Sequence, residues 1–214
     1  MAAAEPHDEH RPPVPEGLIA RLRADPLRAP ETIALAAGEH HAPAAAAWLA
    51  AKRSRYAHDA ADLARMAKKR HATFARVGGA ATGLGGALTI IPDLAALAWI
   101  QSRMVFFIAA AYGYDPHDPM RPAELLVLQE IYADPVEARA ALDGAGRPIA
   151  AAYADKRMSK DEALVRKLAS FVGRRAANRL AGRLIPGVAV VVNAVSNERD
   201  TRALADRTIA FYGG

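Results

Sequence analysis

The longest apolar stretch of the chain covers residues 77–112, and few polar side chains interrupt it. From Pro92 onward the apolar residues fall on every side of a 3.6-residue helix and not on a single stripe. A helix of this kind has to be buried, so the pattern predicts a central helix over residues 92–112. A second apolar run, GVAVVVNAV, opens the last predicted helix, at residues 187–212. Its β-branched residues would also suit a strand, but no second strand-like run is present to pair with it.

Prolines mark the expected starts of several helices, because the first helical turn loses no hydrogen bond when one of its residues lacks an N–H group. The prolines in such places are Pro30, Pro43, Pro122, Pro135 and Pro148. Asp134 before Pro135, followed by Glu137, has the order of a helix cap. The predicted helices lie near residues 16–24, 30–40, 43–76 (a long helix, unbroken or broken), 92–112, 122–132, 135–143, 148–156, 159–183 and 187–212.

These elements predict an all-α fold, a single multi-helix domain with two central apolar helices (about 92–112 and 187–212) and basic outer helices. Apolar residues make up 52% of the chain but aromatic residues only 6%, so much of the core must come from alanine, the best helix former. The 214 residues suit one domain. We expect a disordered N-terminal arm at 1–15, short N-terminal helices at 16–44 and the main helical domain at 45–214.

The glycine-rich segment VGGAATGLGGALT, residues 77–89, precedes the central helix and has three interpretations. A phosphate-binding loop would need a preceding strand and a lysine in register, and both are missing. A membrane span would have to carry Asp93 and Arg103, each costing about 2.5–3.5 kcal/mol at the bilayer centre. Because ten residues separate them by about 15 Å along a helix, they cannot neutralise each other. A full transmembrane helix is therefore disfavoured here, while peripheral or hairpin-like insertion of this segment into a membrane stays open.

The third interpretation, close packing of helices, is the one we prefer. Small residues three or four positions apart lie on one helix face and allow two backbones to approach. The helix-packing positions predicted on this basis are Gly79, Thr82, Gly83 and Gly86.

Polar residues on the two apolar helices form a candidate cluster. At 100° per residue, Asp93, Gln101 and Arg103 fall within about 80° of one direction. Asn193 and Asn197 share a stripe on the last helix. One interpretation is that the two sets simply pair with each other, because buried polar groups need partners. The other is that they line a polar spot in an apolar cavity, where a lipid-like ligand or a reacting group would bind.

Basic residues cluster ahead of both apolar runs, with a total of 28 Lys and Arg against 23 Asp and Glu and a net charge of +5. Those beside residue 70 alternate with an apolar stripe, as in a basic helix that lies on a membrane surface. A solvated face is the alternative. No nucleic-acid motif accompanies the charges, so we predict no nucleic-acid partner. The predicted membrane or anion surface consists of Arg65, Lys68, Lys69, Arg70, Arg174 and Arg175.

Other chemistry finds little support in the sequence. The chain has no cysteine, which excludes disulfides and thiolate sites. Two short segments contain neighbouring residues that could bind a metal: His117 with Asp115 and Asp118, and the Glu-His-His run that ends at His41. Neither segment has a matching pair of ligands elsewhere in the sequence, so no metal site is predicted. No serine occupies a nucleophile motif, and we predict no catalytic residue and no cofactor. No signal peptide is visible at the N-terminus, and a cytoplasmic protein is expected.

Two long motifs resemble the EcsC family: GGAATGLGGALTIIPDLAALAWIQSRMVFFIAAAYGYD at 78–115 and GRLIPGVAVVVNAVSNERDTRALADRTIAFY at 182–212. The likeness covers roughly residues 45–214. It implies a helical, cytoplasmic or membrane-associated protein and supplies no catalytic residues; the family is named for a bacterial protein encoded beside an ABC transporter. The positions that match its pattern are Thr82, Gly83, Gly86, Thr89, Asp93, Gln101, Arg103, Tyr112, Arg183, Pro186, Asn193, Asn197 and Thr201.

Together these features predict a non-enzymatic accessory protein that acts at an anionic membrane surface or with a membrane protein of the transporter type. Its location would be cytoplasmic and peripheral, at the inner face of the membrane. An enzyme or a binder of a lipid-like ligand, using the polar cluster, is the alternative. A soluble homo-oligomer built on the small-residue face is a further one.

Overall fold

The computed structural model describes residues 11–55, 59–82, 90–144, 160–172 and 188–214. The protein is all-α, as the sequence predicts, and the helices of the described residues enclose one hydrophobic core. They are α1 (Leu18–Ala24), α2 (Ala29–Arg55, after a 3-10 turn at Pro26–Arg28), α3 (Ala60–Thr82), α4 (Ile90–Ala111), α5 (Arg121–Leu128), α6 (Pro135–Leu142), α7 (Lys160–Val172) and α8 (Val188–Gly213).

The central helix of the bundle is α4, which contacts α2, α3, α7 and α8. Every residue from Leu94 to Ala111 is buried, as expected for a helix that is apolar on all sides. Among the described residues, α4 alone is long and apolar enough to cross a membrane, and 94% of its most apolar window is buried inside the protein. Neighbouring helices therefore cover the surface that a spanning helix would present to lipid.

The last helix, α8, packs most extensively against α3 and also contacts α4 and α5. Residues 188–192, VAVVV, are helical, which confirms the helix interpretation over the strand. The buried side chains of its second half include Thr201, Leu204 and Thr208, while Arg199 and Asp206 are exposed. The two apolar helices are thus neighbours, but the second half of α8 is covered on one side and α4 on all sides.

Pro43 does not begin a helix, so that part of the sequence prediction is wrong. It lies inside the single helix α2, at an exposed position. An internal proline removes one hydrogen bond and costs about 3 kcal/mol. The helix continues because α2 packs along α4 and α5 on both sides of the proline, and Ala42 and Ala45 are buried there.

Two predicted helix boundaries have clear local causes. The carboxylate of Asp134 accepts hydrogen bonds from the backbone N–H groups of Val136 and Glu137, both at 2.9 Å, which confirms the cap ahead of α6. After α4, Gly113 has a left-handed φ of 89°, and the Tyr114 N–H bonds to the Ala109 carbonyl at 3.1 Å. This glycine-terminated ending turns the chain away from the core.

The N-terminal helices share the core of the main domain. Leu18 and Leu22 of α1 and Ile33 of α2 are buried in the same cluster as the side chains of α4. Residues 11–15 are not helical and lie beside α2 and α4. The rest of the predicted arm (1–10), the predicted helix 148–156 and residues 173–183 lie outside the described residues, so the proposed domain limits stay predictions.

Candidate functional site

Gln101, in the middle of α4, is 1% exposed and joins three parts of the bundle. Its side-chain N–H donates to the Thr201 hydroxyl of α8 at 3.4 Å, and its carbonyl accepts from the amide of Gln129 at 3.2 Å. Gln129 follows α5 directly. Because both ends of the Gln101 amide are occupied, this part of the predicted cluster connects helices, as in the first of the two interpretations.

Replacing Gln101 with leucine should lower the free energy of unfolding by about 1–3 kcal/mol, because it leaves the buried groups of Gln129 and Thr201 without a partner. Urea denaturation would measure this loss. The double variant Gln101→Leu/Gln129→Leu should lose less than the sum of the two single losses, because it removes both members of a buried pair. Strictly additive losses would show that the two amides are not coupled.

Arg103 lies almost on the opposite side of α4, because two residues turn the helix by about 200°. It is 4% exposed, and its guanidinium carbon stands 4.5 Å from the ring centre of Phe107. Asp93 is half-buried in the first turn of α4, about 15 Å away along the axis. The structure therefore does not bring Asp93, Gln101 and Arg103 to one site.

Two buried histidines flank Arg103. The ring of His71, on α3, packs 5.2 Å from that of Phe107, and the ring of His41, on α2, lies 4.1 Å from that of Trp99. Burial, reinforced by the charge of Arg103, lowers the pKa of His71 to about 3 and holds the pKa of His41 well below 6.5. Both rings are therefore neutral at neutral pH.

The hydrogen bonds of the two histidines are incomplete within the described chain. His71 Nδ1 lies 2.8 Å from the Ala67 carbonyl oxygen, which can only accept, so Nδ1 carries the ring proton. The Nε2 atoms of His41 and His71 are buried and have no hydrogen-bond partner among the described residues. Such atoms are uncommon in folded proteins, and they point to a polar group outside the described residues.

A cleft of about 470 Å³ opens beside Arg103. Its walls come from residues 11–16, from His40, His41 and Ala44 of α2, and from Trp99 and Arg103 of α4. It is open on one side and combines aromatic, proline and cationic groups. Its volume lies within the 300–1,000 Å³ that is usual for small-molecule sites.

The predicted basic surface divides into two groups. Arg65 and Lys69 are exposed on α3, whereas Lys68 bonds to Asp206 of α8 and Arg70 lies 5.4 Å from the Phe74 ring. Four exposed neighbours, Met66, Thr73, Arg76 and Val77, were not among the predicted surface residues, although helical spacing places them on the same side. We define the outer face of α3 as Arg65, Met66, Lys69, Thr73, Arg76 and Val77, all of which are exposed.

Several predicted residues have a known place in the chain and no described side-chain environment. Gly79 and Thr82 lie in the last turns of α3, and Asn193 lies in α8. Asn197, also in α8, is half-buried. Gly83, Gly86, Arg174 and Arg175 lie outside the described residues.

A second buried charge, Arg121, was not identified from the sequence. It is 6% exposed at the start of α5 and forms ion pairs with Glu124 and, at 3.2 Å, with Asp118. The rings of Tyr114 and Tyr212 lie 5.3 and 5.5 Å from its guanidinium carbon. The Tyr212 hydroxyl also donates to Glu124, so the cluster attaches the end of α8 to α5. Arg121 lies four residues before Leu125 and seven before Leu128, both buried, so helical spacing could have placed it on the inner face of α5.

The acidic residues beside His117 shape a turn. Asp115 accepts from the backbone N–H of His117 at 2.9 Å, and Asp118 accepts from that of Met120 at 2.8 Å. In the part of the chain that the structure describes, no group of three or more His, Cys, Asp or Glu residues could hold a metal ion.

No curated protein and no solved structure shows significant similarity to the chain. The model of the EcsC protein family, however, matches residues 51–213, about three quarters of the sequence. The match includes α3, α4 and α8, and with them the Gln101 contacts, Arg103 and the outer face of α3. By this match over most of its length, the chain belongs to the EcsC protein family.

Proposed function

We propose that the protein is a non-enzymatic accessory protein that binds an anionic membrane surface through the outer face of α3, on the cytoplasmic side of the membrane. The observation that carries this proposal is the composition of that face. Arg65, Lys69 and Arg76 are exposed beside Met66 and Val77, which are 36% and 60% exposed. The face spans about 120° of the helix, as expected for a helix lying in the interface.

The charge balance of α3 favours an anionic partner. The helix contains five basic residues and one acidic residue, Asp62. Arg65 pairs with Asp62, and Arg76 lies 3.8 Å from Glu198 of α8. Exposed pairs of this kind contribute about 0–1 kcal/mol, so lipid phosphates can compete for the same guanidinium groups. Each basic residue near an anionic surface adds about 1 kcal/mol to binding.

The sequence alternative, an enzyme or a ligand binder using Asp93, Gln101, Arg103, Asn193 and Asn197 as one cluster, gains no support. Gln101 is occupied by Thr201 and Gln129, while Arg103 lies among the histidines on another side of α4. A membrane-protein partner of the transporter type would also meet the outer face of α3 at the membrane surface. A homo-oligomer would give twice the monomer mass or more in light scattering.

The triple variant Arg65→Gln/Lys69→Gln/Arg76→Gln should bind vesicles containing phosphatidylglycerol at least about tenfold more weakly than the parent, because it removes three charges from the contact face. Sedimentation with vesicles at increasing salt measures this, and binding of the parent should weaken as salt rises. Neutral phosphatidylcholine vesicles should retain little of either protein.

A matched control removes the same number of charges elsewhere. Arg23, Arg53 and Arg166 are exposed on α1, α2 and α7, and their triple glutamine variant has the same net charge as the test variant. It should bind anionic vesicles nearly as well as the parent. Equal losses in the two variants would contradict a specific face on α3, and no binding by the parent would contradict the membrane proposal itself.

A further inference from the structure

The packing of α3 against α8 places three arginines close together on the protein surface. Arg76 of α3 lies 3.8 Å from the carboxylate of Glu198, on α8. Arg202, also on α8, donates to the same carboxylate through Nε and Nη2, at 3.1 and 2.8 Å. Arg199 is exposed three residues before Arg202, so the two are neighbours on one side of the helix. We define Arg76, Arg199 and Arg202 as the arginine cluster.

The arginine cluster carries more positive than negative charge. Arg76 and Arg202 share the single carboxylate of Glu198, and Arg199 forms no hydrogen bond or ion pair with the other described residues. Asp200, the next residue, is half-buried and turned about 100° away from Arg199 around the helix. Three guanidiniums thus stand beside one carboxylate, which leaves a surplus of about two positive charges, since guanidinium groups stay protonated.

The paired guanidiniums keep donors available for a ligand. A guanidinium has five N–H donors, and Arg202 uses two of its own on Glu198. The side chains of Arg76 and Arg202 are 63% and 43% exposed, so a ligand in solvent can reach their other N–H groups. Glu198 therefore holds two guanidiniums side by side without occupying them fully.

The arginine cluster is continuous with the outer face of α3. Arg76 belongs to both surfaces, and Lys69, also exposed, lies seven residues before it on the same side of the helix. Arg199 and Arg202 extend this basic surface onto α8. A bilayer lying against the outer face of α3 would therefore meet the arginine cluster at the edge of the contact.

We propose that the arginine cluster binds the phosphate of a phosphomonoester lipid, with phosphatidic acid as the simplest example. A phosphate monoester carries about −1.5 to −2 charges at pH 7, which matches the charge surplus of the cluster. A phosphodiester headgroup carries a single negative charge and matches it less well. Arginine also binds phosphate oxygens through two parallel hydrogen bonds. This inference rests on the proposed membrane contact and adds to it the class of lipid headgroup.

Sedimentation with two kinds of vesicle tests the headgroup. Phosphatidylcholine vesicles containing either phosphatidic acid or phosphatidylglycerol are prepared at equal zeta potential, so that the nonspecific attraction is the same. The parent protein should bind the phosphatidic acid vesicles at least about fivefold more tightly, as expected for one further charge contact. Equal binding to both would overturn this proposal and leave the membrane contact intact. Binding to neither would contradict the membrane contact and this proposal with it.

Two variants with opposite expected effects test the arginine cluster. Arg199→Gln should weaken binding to phosphatidic acid vesicles about fivefold, because it removes one cation from the contact. Glu198→Gln should strengthen this binding by a similar factor, because it removes the competing carboxylate, and a loss of folding would not have that effect. Arg23→Gln changes an exposed residue of α1, and this control should bind as the parent does. Unchanged affinity in both cluster variants would refute the assignment.

A soluble molecule can carry the same phosphate group. Glycerol 3-phosphate has the phosphomonoester without the acyl chains, so it tests this source as a competitor. At a concentration equal to that of the accessible lipid, it should leave the protein on phosphatidic acid vesicles, because the bilayer also contacts the outer face of α3. Full displacement would identify a soluble phosphomonoester as the ligand and overturn the assignment to a lipid.

Discussion

Replacing Arg121 with alanine is expected to lower the free energy of unfolding by about 3–5 kcal/mol. The change removes the cation from a buried group of acidic and aromatic side chains and leaves Glu124 without its cationic partner at the junction of α5 and α8, where the Tyr212 hydroxyl still donates to it. Burial already raises the pKa of Glu124. Loss of the guanidinium would raise it further, because an unpaired buried carboxylate is unfavourable. Chemical denaturation at pH 7 measures the loss.

Arg65→Ala is the matched control for Arg121→Ala. Arg65 also forms an ion pair with an acidic residue three positions away, but its side chain is 66% exposed, against 7% for Arg121. The control should lose less than about 1 kcal/mol, because an exposed pair is screened by water. Similar losses in the two variants would show that Arg121 is not a structural charge of the core.

Acid is expected to destabilise the protein from about pH 6.5 downward, and His71 should account for a measurable part of the loss. Its folded-state pKa, about 3, lies below the ordinary value of 6.5, so the unfolded chain binds the proton first as the pH falls. The stabilising effect of its neutral form is complete above pH 6.5 and is lost progressively down to about pH 3. Between these two pH values, the titration of His71 lowers the free energy of unfolding by about 1.4 kcal/mol per pH unit.

Denaturation curves recorded from pH 7 to pH 4 would show the effect when the parent is compared with His71→Gln. Glutamine does not titrate, and the variant should lose less stability per pH unit than the parent, by about the 1.4 kcal/mol assigned to one histidine. His117→Gln is the control for the loss of a histidine, because His117 is exposed in a turn. Parallel curves for the parent and both variants would refute the assignment to His71.

The helix pattern was predictable where local signals and burial agree. An apolar surface on every side of residues 92–112 indicates a central helix, and α4 is that helix. The Asp134 cap acts over three residues, so its prediction needed no tertiary information. Pro43 shows the limit of such signals, because packing of α2 along its neighbours outweighs a local preference of about 3 kcal/mol.

The candidate sites were predictable only in part. Gln101 was identified because a polar residue on an apolar helix must find a partner, but its partners lie 28 and 100 residues away in sequence. His71 falls four residues after Ala67 and eight after Leu63, both buried on α3, so helical spacing could have identified it as a core histidine. Nothing in that spacing indicates that Arg103 would lie beside it.

The sequence alone determined the all-α class, the central apolar helix, most helix starts and the resemblance to the EcsC family. These depend on interactions within a few residues or on the hydrophobic period of one helix. The tertiary structure decided which charges are buried, which side chains Gln101 and Arg103 meet, and where a cleft remains open. These features depend on side chains that are distant in sequence, and only the packed arrangement of several helices fixes the distances between them.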